Sequence, residues 1–119
     1  MGADFFQVGC FQIENLLINR MQFFVFDLRQ RSEVPPQINS SLEQKAFWSK
    51  AKAINPDQAV TAAKELVQSL EAPLMLLCED GEISSQVAAR LVREGYSHLL
   101  VVDGGIKQLI RDWEQSIDS

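Results

Sequence analysis

Cys78 is the residue whose type and setting best fit covalent chemistry. It stands in Cys78-Glu79-Asp80-Gly81-Glu82-Ile83-Ser84, after the apolar run Pro73-Leu74-Met75-Leu76-Leu77 and ahead of a stretch with helical spacing. In open α/β sheets, ligands bind at the C-terminal edge of the strands. Backbone N–H groups of a loop at that edge converge on its centre, and the helix beyond adds partial positive charge at its N-terminus. Both favour the thiolate, the nucleophilic form of cysteine. Gly81 permits the tight turn that wraps such a sulfur. An isolated cysteine is more often a small buried hydrophobe; its place on this loop is what sets Cys78 apart.

The other reactive types lack such a setting. Nothing around Cys10 points to chemistry, and it reads as a buried hydrophobe. Two cysteines without CxxC spacing and a single histidine, His98, make no disulfide framework and cannot fill a zinc site alone. No metal or cofactor is expected. His98 opens a strand a helix away from the loop and reads as a surface or edge histidine. Asp27 and Arg29 close another apolar strand. They are expected to pair with each other or with backbone near the loop, and a substrate role for Arg29 stays open. Gly104 and Gly105 fit turn geometry and helix entry.

The elements that must position Cys78 follow from hydrophobic spacing. Phe23-Phe24-Val25-Phe26, Leu74 to Leu77 and Leu99-Leu100-Val101-Val102 are short apolar runs that read as buried strands. Ile13, Leu16 and Leu17 share one face of a short helix before the first run. Residues 28–41, with Arg29, Arg31, Glu33, Pro35, Pro36 and Asn39, read as a polar loop. A helix is expected from Ser41 to about Ala53 with Leu42, Ala46 and Phe47 on one face. Asn55-Pro56 signals another helix start, followed by an apolar stripe of Ala59, Val60, Ala63, Leu66, Val67 and Leu70. Ser84 opens a helix with Val87, Ala88, Leu91 and Val92 inward and Gly95 at its end. Ile106 to about Ile117 is the last, with Leu109, Ile110 and Trp113 inward. Apolar strands alternating with amphipathic helices predict an α/β fold, a parallel sheet flanked by helices on both faces.

Composition narrows the function classes. The 119 residues, 46% hydrophobic and 23% charged, suit one domain spanning 1–119 with a core of its own. A formal net charge of −5 disfavours a nucleic-acid partner. No apolar stretch reaches the length of a membrane span. The first residues lack the features of a secretory signal, and Phe6 stands where a Met-Gly myristoylation pattern wants Ser or Thr. A cytoplasmic protein without membrane contact is the expectation.

Three blocks carry a resemblance. Cys78-x-x-Gly81-x-x-Ser84, then a helix, Gly95-Tyr96, an apolar strand and Asp103-Gly104-Gly105-Ile106, is similar to the C-terminal half of a rhodanese domain. The strand closing in Phe26-Asp27-Leu28-Arg29 resembles the signature of that family's first half. The blocks run from about Gln12 to Trp113. The resemblance implies a rhodanese-like parallel sheet. It also implies a sulfurtransferase in which Cys78 takes a sulfane sulfur from a donor such as thiosulfate, holds it as a persulfide and passes it to a thiol or other acceptor. Glu79, Asp80, Gly81, Glu82 and Ile83 would form the rest of the 78–83 loop and donate through their backbones, with Ser84 just beyond. The loop has the shorter, sulfurtransferase length, and neither Ile83 nor Ser84 supplies the arginine of the related cell-cycle phosphatases.

Departures keep other readings open. Glu79, Asp80 and Glu82 oppose a thiolate and repel an anionic donor unless they face water. The Gly-His-Ile-Pro-Gly-Ala-Ile-Asn stretch usual in the family stands here only as Glu33-Val34-Pro35-Pro36-Gln37-Ile38-Asn39, and Leu109 occupies the place of its last-helix tryptophan. The alternatives are a catalytically silent rhodanese-like module binding a basic protein at the acidic loop, and a relay protein loaded by another protein's persulfide.

Overall fold

The computed structural model describes residues 5–30 and 33–117, so the Met1-Gly2 start and Arg31 lie outside it. Alternation along three strands builds two cores, one on each face of a sheet. In β2 (Phe24–Asp27), Val25 faces one side and Phe26 the other; in β4 (Leu74–Leu77), Met75 and Leu77 oppose Leu74 and Leu76. In β5 (Leu99–Val102), Val102 opposes Leu99 and Val101. Burial on both faces is why each strand reads as an unbroken apolar run.

Two further strands complete the sheet, β1 (Phe6–Val8) and β3 (Ala51–Ala53). All five pair in parallel in the order β1-β5-β4-β2-β3. The residues packed on one face come from α1 (Cys10–Ile18), α2 (Leu42–Lys50) and α5 (Gly105–Ile117); those on the other come from α3 (Ala59–Leu66) and α4 (Glu82–Arg93). The chain leaves β2 toward β3 and leaves β4 toward β5 in the opposite direction. The order therefore reverses between β2 and β4, the crevice position where α/β sheets bind ligands. No helix among the described residues is long and apolar enough to cross a membrane.

Several expectations are corrected. The helix expected to run to Ala53 stops at Lys50, and Ala51–Ala53 pairs with Val25–Asp27. Ala and Lys favour helix locally, but the open edge of β2 offers them a hydrogen-bonded ladder. Ser41 is the cap of α2, its Oγ accepting from Gln44 N at 3.0 Å. Leu42 is 83% exposed while Trp48 is buried, so the inward face of α2 is Gln44, Phe47 and Trp48. The 28–41 segment is not wholly a polar loop: Pro36–Ile38 forms a 3-10 turn that buries Ile38, whose carbonyl accepts from Trp48 Nε1 at 3.0 Å.

After Asn55, a 3-10 turn at Pro56–Gln58 precedes α3, which ends at Leu66. Leu66 and Leu70 are exposed, so the inward stripe closes at Val67. The Leu70 carbonyl instead accepts from Ser97 N at 2.9 Å. Helix α4 begins at Glu82, before Ser84, with Gly81 as its N-cap residue; just ahead of it the Asp80 carboxylate accepts from Glu82 N at 3.0 Å.

Candidate functional site

The register of β4 aims the sulfur. Leu74, Leu76 and Cys78 share the α3/α4 face, so the chain leaves the strand with the Cys78 side chain directed at the start of α4. Gly81 then takes φ +93°, a left-handed conformation that reverses the backbone. The reversal brings two amides onto Sγ, Gly81 N at 3.1 Å and Ser84 N at 3.3 Å. Two N–H donors and the N-terminus of α4 thus face that sulfur.

The backbone donation to a carried sulfur that the resemblance implies concerns the loaded protein; on the thiol itself the donors are Gly81 N and Ser84 N. Glu82 N is given to Asp80, and the amides of Glu79, Asp80 and Ile83 make no hydrogen bond to Sγ. Glu82, Ile83 and Ser84 belong to the first turn of α4. The side chains of Glu79, Asp80 and Glu82 are exposed, where water screens their repulsion of the sulfur.

The other face of the loop is held by α5. Ile106 N donates to Cys78 O at 2.8 Å and Lys107 N to Glu79 O at 3.2 Å. Gly105 makes this approach possible, because a Cβ there would lie 2.5 Å from Asp80 N and from Cys78 O. The amides of Gly81 and Ser84 thus point at the sulfur, and those of Ile106 and Lys107 bind the loop's carbonyls.

Asp27 and Arg29 pair with each other. Arg29 Nε and Nη2 each donate to the Asp27 carboxylate at 2.8 Å, and the guanidinium stacks 5.3 Å from the Trp48 ring. Both side chains of the pair are 5% exposed. His98 is exposed, beside Ser97 Oγ, at the N-terminal end of β5 and so at the opposite sheet edge from Cys78. Cys10 is buried in the core of the other face; burial first, then the carboxylates of Asp112 and Glu14, push its thiol above the ordinary range.

Cys78 is 1% exposed, and what surface it has opens into a cavity of about 760 Å³. Leu28, Arg29 and Gln30 line it from the end of β2, and Asn55, Pro56 and Asp57 from the start of the 3-10 turn. Glu79, Ile83, Gln86 and Arg90 line it from the loop and α4. Arg90 Nη1 reaches Pro56 O at 3.4 Å. Gln86, Arg90 and the 55–57 segment were not among the sequence candidates. Ile83, Gln86 and Arg90 stand at helical spacing, a signal that could have placed the last two. Nothing local links Asn55 to the sulfur. Ser84 Oγ, on a fully buried residue, has no hydrogen-bond partner among the described residues.

No family profile and no curated protein matches the chain. Solved structures do. A rhodanese homolog from the extremely thermophilic bacterium Thermus thermophilus is similar over 87% of this chain and 99% of its own, at 25% identity and a TM-score of 0.59. The rhodanese-like domain protein of Staphylococcus aureus is 17% identical, with a TM-score of 0.62 over 87% of this chain and 90% of its own. Reduced CoADR-RHD of Bacillus anthracis, 18% identical with a TM-score of 0.62, is matched over 95% of this chain, which spans only 18% of that protein's length. The chain has the rhodanese-like fold: α/β, with a five-stranded parallel sheet between helices.

Proposed function

We propose that the protein is a sulfurtransferase carrying a sulfane sulfur as a persulfide on Cys78. The observation that carries this reading is the pair of backbone amides, from Gly81 and Ser84, on a sulfur that opens into a sizeable cavity. A cysteine held only for packing needs neither. The thiolate attacks the outer sulfur of a donor, the donor's bond to that sulfur breaks, and the Cys78 persulfide results. A thiol acceptor then takes the outer sulfur and restores the thiolate. Both cysteines are free, and we place the protein in the cytoplasm, where thiols stay reduced.

The alternative is a catalytically silent module that binds a basic protein at the exposed Glu79, Asp80 and Glu82; it predicts no persulfide on Cys78. The relay reading uses the same persulfide with a protein as donor. Sulfur transfer from thiosulfate or a thiol persulfide to cyanide or a thiol tests the proposal. Wild type is expected to turn over and Cys78→Ser to lose the activity; equal rates in the two overturn it.

A further inference from the structure

One edge of the sheet is unguarded. β1 pairs with β5, and nothing among the described residues pairs with its other side. An open edge is a template for a strand from another chain, and proteins commonly blunt it with lysine, proline or a bulge. The opposite edge, β3, carries the exposed Lys52. Residues 5–13, β1 included, hold no charged residue and no proline in a chain that is 23% charged.

Backbone directions fix how a partner strand joins. Val8 O accepts from Asp103 N at 2.9 Å, so the polar groups of Val8, and by alternation those of Phe6, turn toward β5. Phe5 packs on the α3/α4 face and Val8 on the other, so the alternation runs back through Phe5. The N–H and C=O of Phe5 and Gln7 therefore turn to the open side. Gly9, next in that row, is already satisfied. Its N–H donates to Gln12 Oε1 at 2.9 Å, and its C=O accepts from Ile13 N at 3.1 Å. The available row is Phe5 and Gln7, centred on Phe6. Phe6 is 65% exposed, and Phe11, in the first turn of α1, is 70% exposed. Scattered apolar side chains are ordinary on a surface; two of them close to an uncharged open edge mark a contact.

We infer that β1 is a homodimer interface, in which two copies pair their β1 strands antiparallel about a two-fold axis at Phe6. A two-fold contact must bring one patch onto itself. Centred on Phe6, Phe5 of each copy exchanges both backbone hydrogen bonds with Gln7 of the other. The two Phe6 side chains then face each other in the close, non-hydrogen-bonded position, where an aromatic pair stabilises the ladder. Two chains of net charge −5 meet here without adding a like-charge pair, whereas β3 against itself would oppose lysines. β5 and β4 lie between β1 and β2, so the contact leaves the cavity over Cys78 open. It is independent of the chemistry at that sulfur.

Sedimentation equilibrium of the reduced chain from micromolar to millimolar concentration tests this. The mass is expected to rise from 13.4 kDa toward twice that value. Phe6→Lys sets two ammonium groups across the axis. Gln7→Pro removes an outward N–H and spares the bonds to β5. Each is expected to raise the dimer Kd about tenfold or more. Leu66→Lys, at an exposed position of α3 on the opposite face, leaves Kd unchanged. Register is read by mild oxidation in a Cys10→Ala, Cys78→Ser background. Phe6→Cys is expected to give a disulfide-linked dimer, because opposed residues of this kind lie about 4.5 Å apart at Cα, within disulfide reach. Gln7→Cys, displaced from its own copy along the strand, is expected to bridge far more slowly. A monomer at every concentration, a dimer indifferent to both Phe6→Lys and Gln7→Pro, or faster bridging through Gln7→Cys overturns the inference.

Discussion

Gly105 and Cys78 are locked backbone to backbone: a side chain at Gly105 would lie 2.5 Å from the Cys78 carbonyl oxygen, and Gly105 itself holds φ +67°. The last helix can therefore enter close enough for Ile106 N to bind that carbonyl at 2.8 Å. Gly105→Ala is expected to cost about 2–4 kcal/mol, from left-handed strain plus overpacking. It should also slow sulfur loading in the protein that remains folded. Urea unfolding and single-turnover mass measurements check this; unchanged stability would refute the close approach.

Asp27 and Arg29 form a nearly buried bidentate pair leaning on Trp48. Removing one partner strands the other's charge. Asp27→Ala is expected to destabilise by about 3–5 kcal/mol, and the Asp27→Ala, Arg29→Met double variant by clearly less. A double-mutant cycle in urea measures the coupling. Additive single effects contradict a structural pair.

Ser84 buries a hydroxyl with no partner among the described residues, on the residue whose amide contacts the sulfur. Leaving such a group unsatisfied costs about 1–3 kcal/mol. Ser84→Ala should therefore leave stability unchanged or raise it by about 1 kcal/mol, while persulfide transfer slows if the hydroxyl serves the bound sulfur. A large loss of stability would mean that the hydroxyl has a structural partner after all.

Cys10 keeps its proton more tightly in the folded chain than in the unfolded one, because of burial and then of Asp112 and Glu14. As pH rises through the unfolded-chain value, about 8.5, the unfolded state releases a proton that the folded state retains. The Cys10 contribution to stability is thus intact below that pH and lost above it. Relative to Cys10→Ala, the wild type should lose stability between pH 8 and pH 10 in urea titrations. Parallel pH curves contradict this.

Much of the architecture was legible because burial leaves a plain mark on sequence. β2, β4 and β5 are covered on both sides and had to be apolar throughout, and the cysteine after β4 inherited a predictable face. β1 and β3 were hidden, since three residues at a sheet edge carry no period and Ala51-Lys52-Ala53 favours helix until β2 offers it hydrogen bonds. Leu42 and Trp48 exchanged their expected places because the bond from Trp48 Nε1 to the Ile38 carbonyl comes from a turn ten residues away. At the site, the loop and the Asp27–Arg29 pairing were readable locally. The opposite wall was not: Asn55 and Asp57 share a cavity with Cys78 only because β2 and β4 lie side by side in the sheet, a neighbourhood that no local pattern reveals.

The most direct test is the mass of the intact, fully reduced protein after exposure to a thiol persulfide and removal of excess donor. The account predicts a gain of one sulfur atom in wild type and in Cys10→Ala, mapped to Cys78 and discharged by a thiol acceptor. It predicts no gain in Cys78→Ser. A wild-type protein that stays at its unmodified mass, or that carries the added sulfur on Cys10, would contradict it.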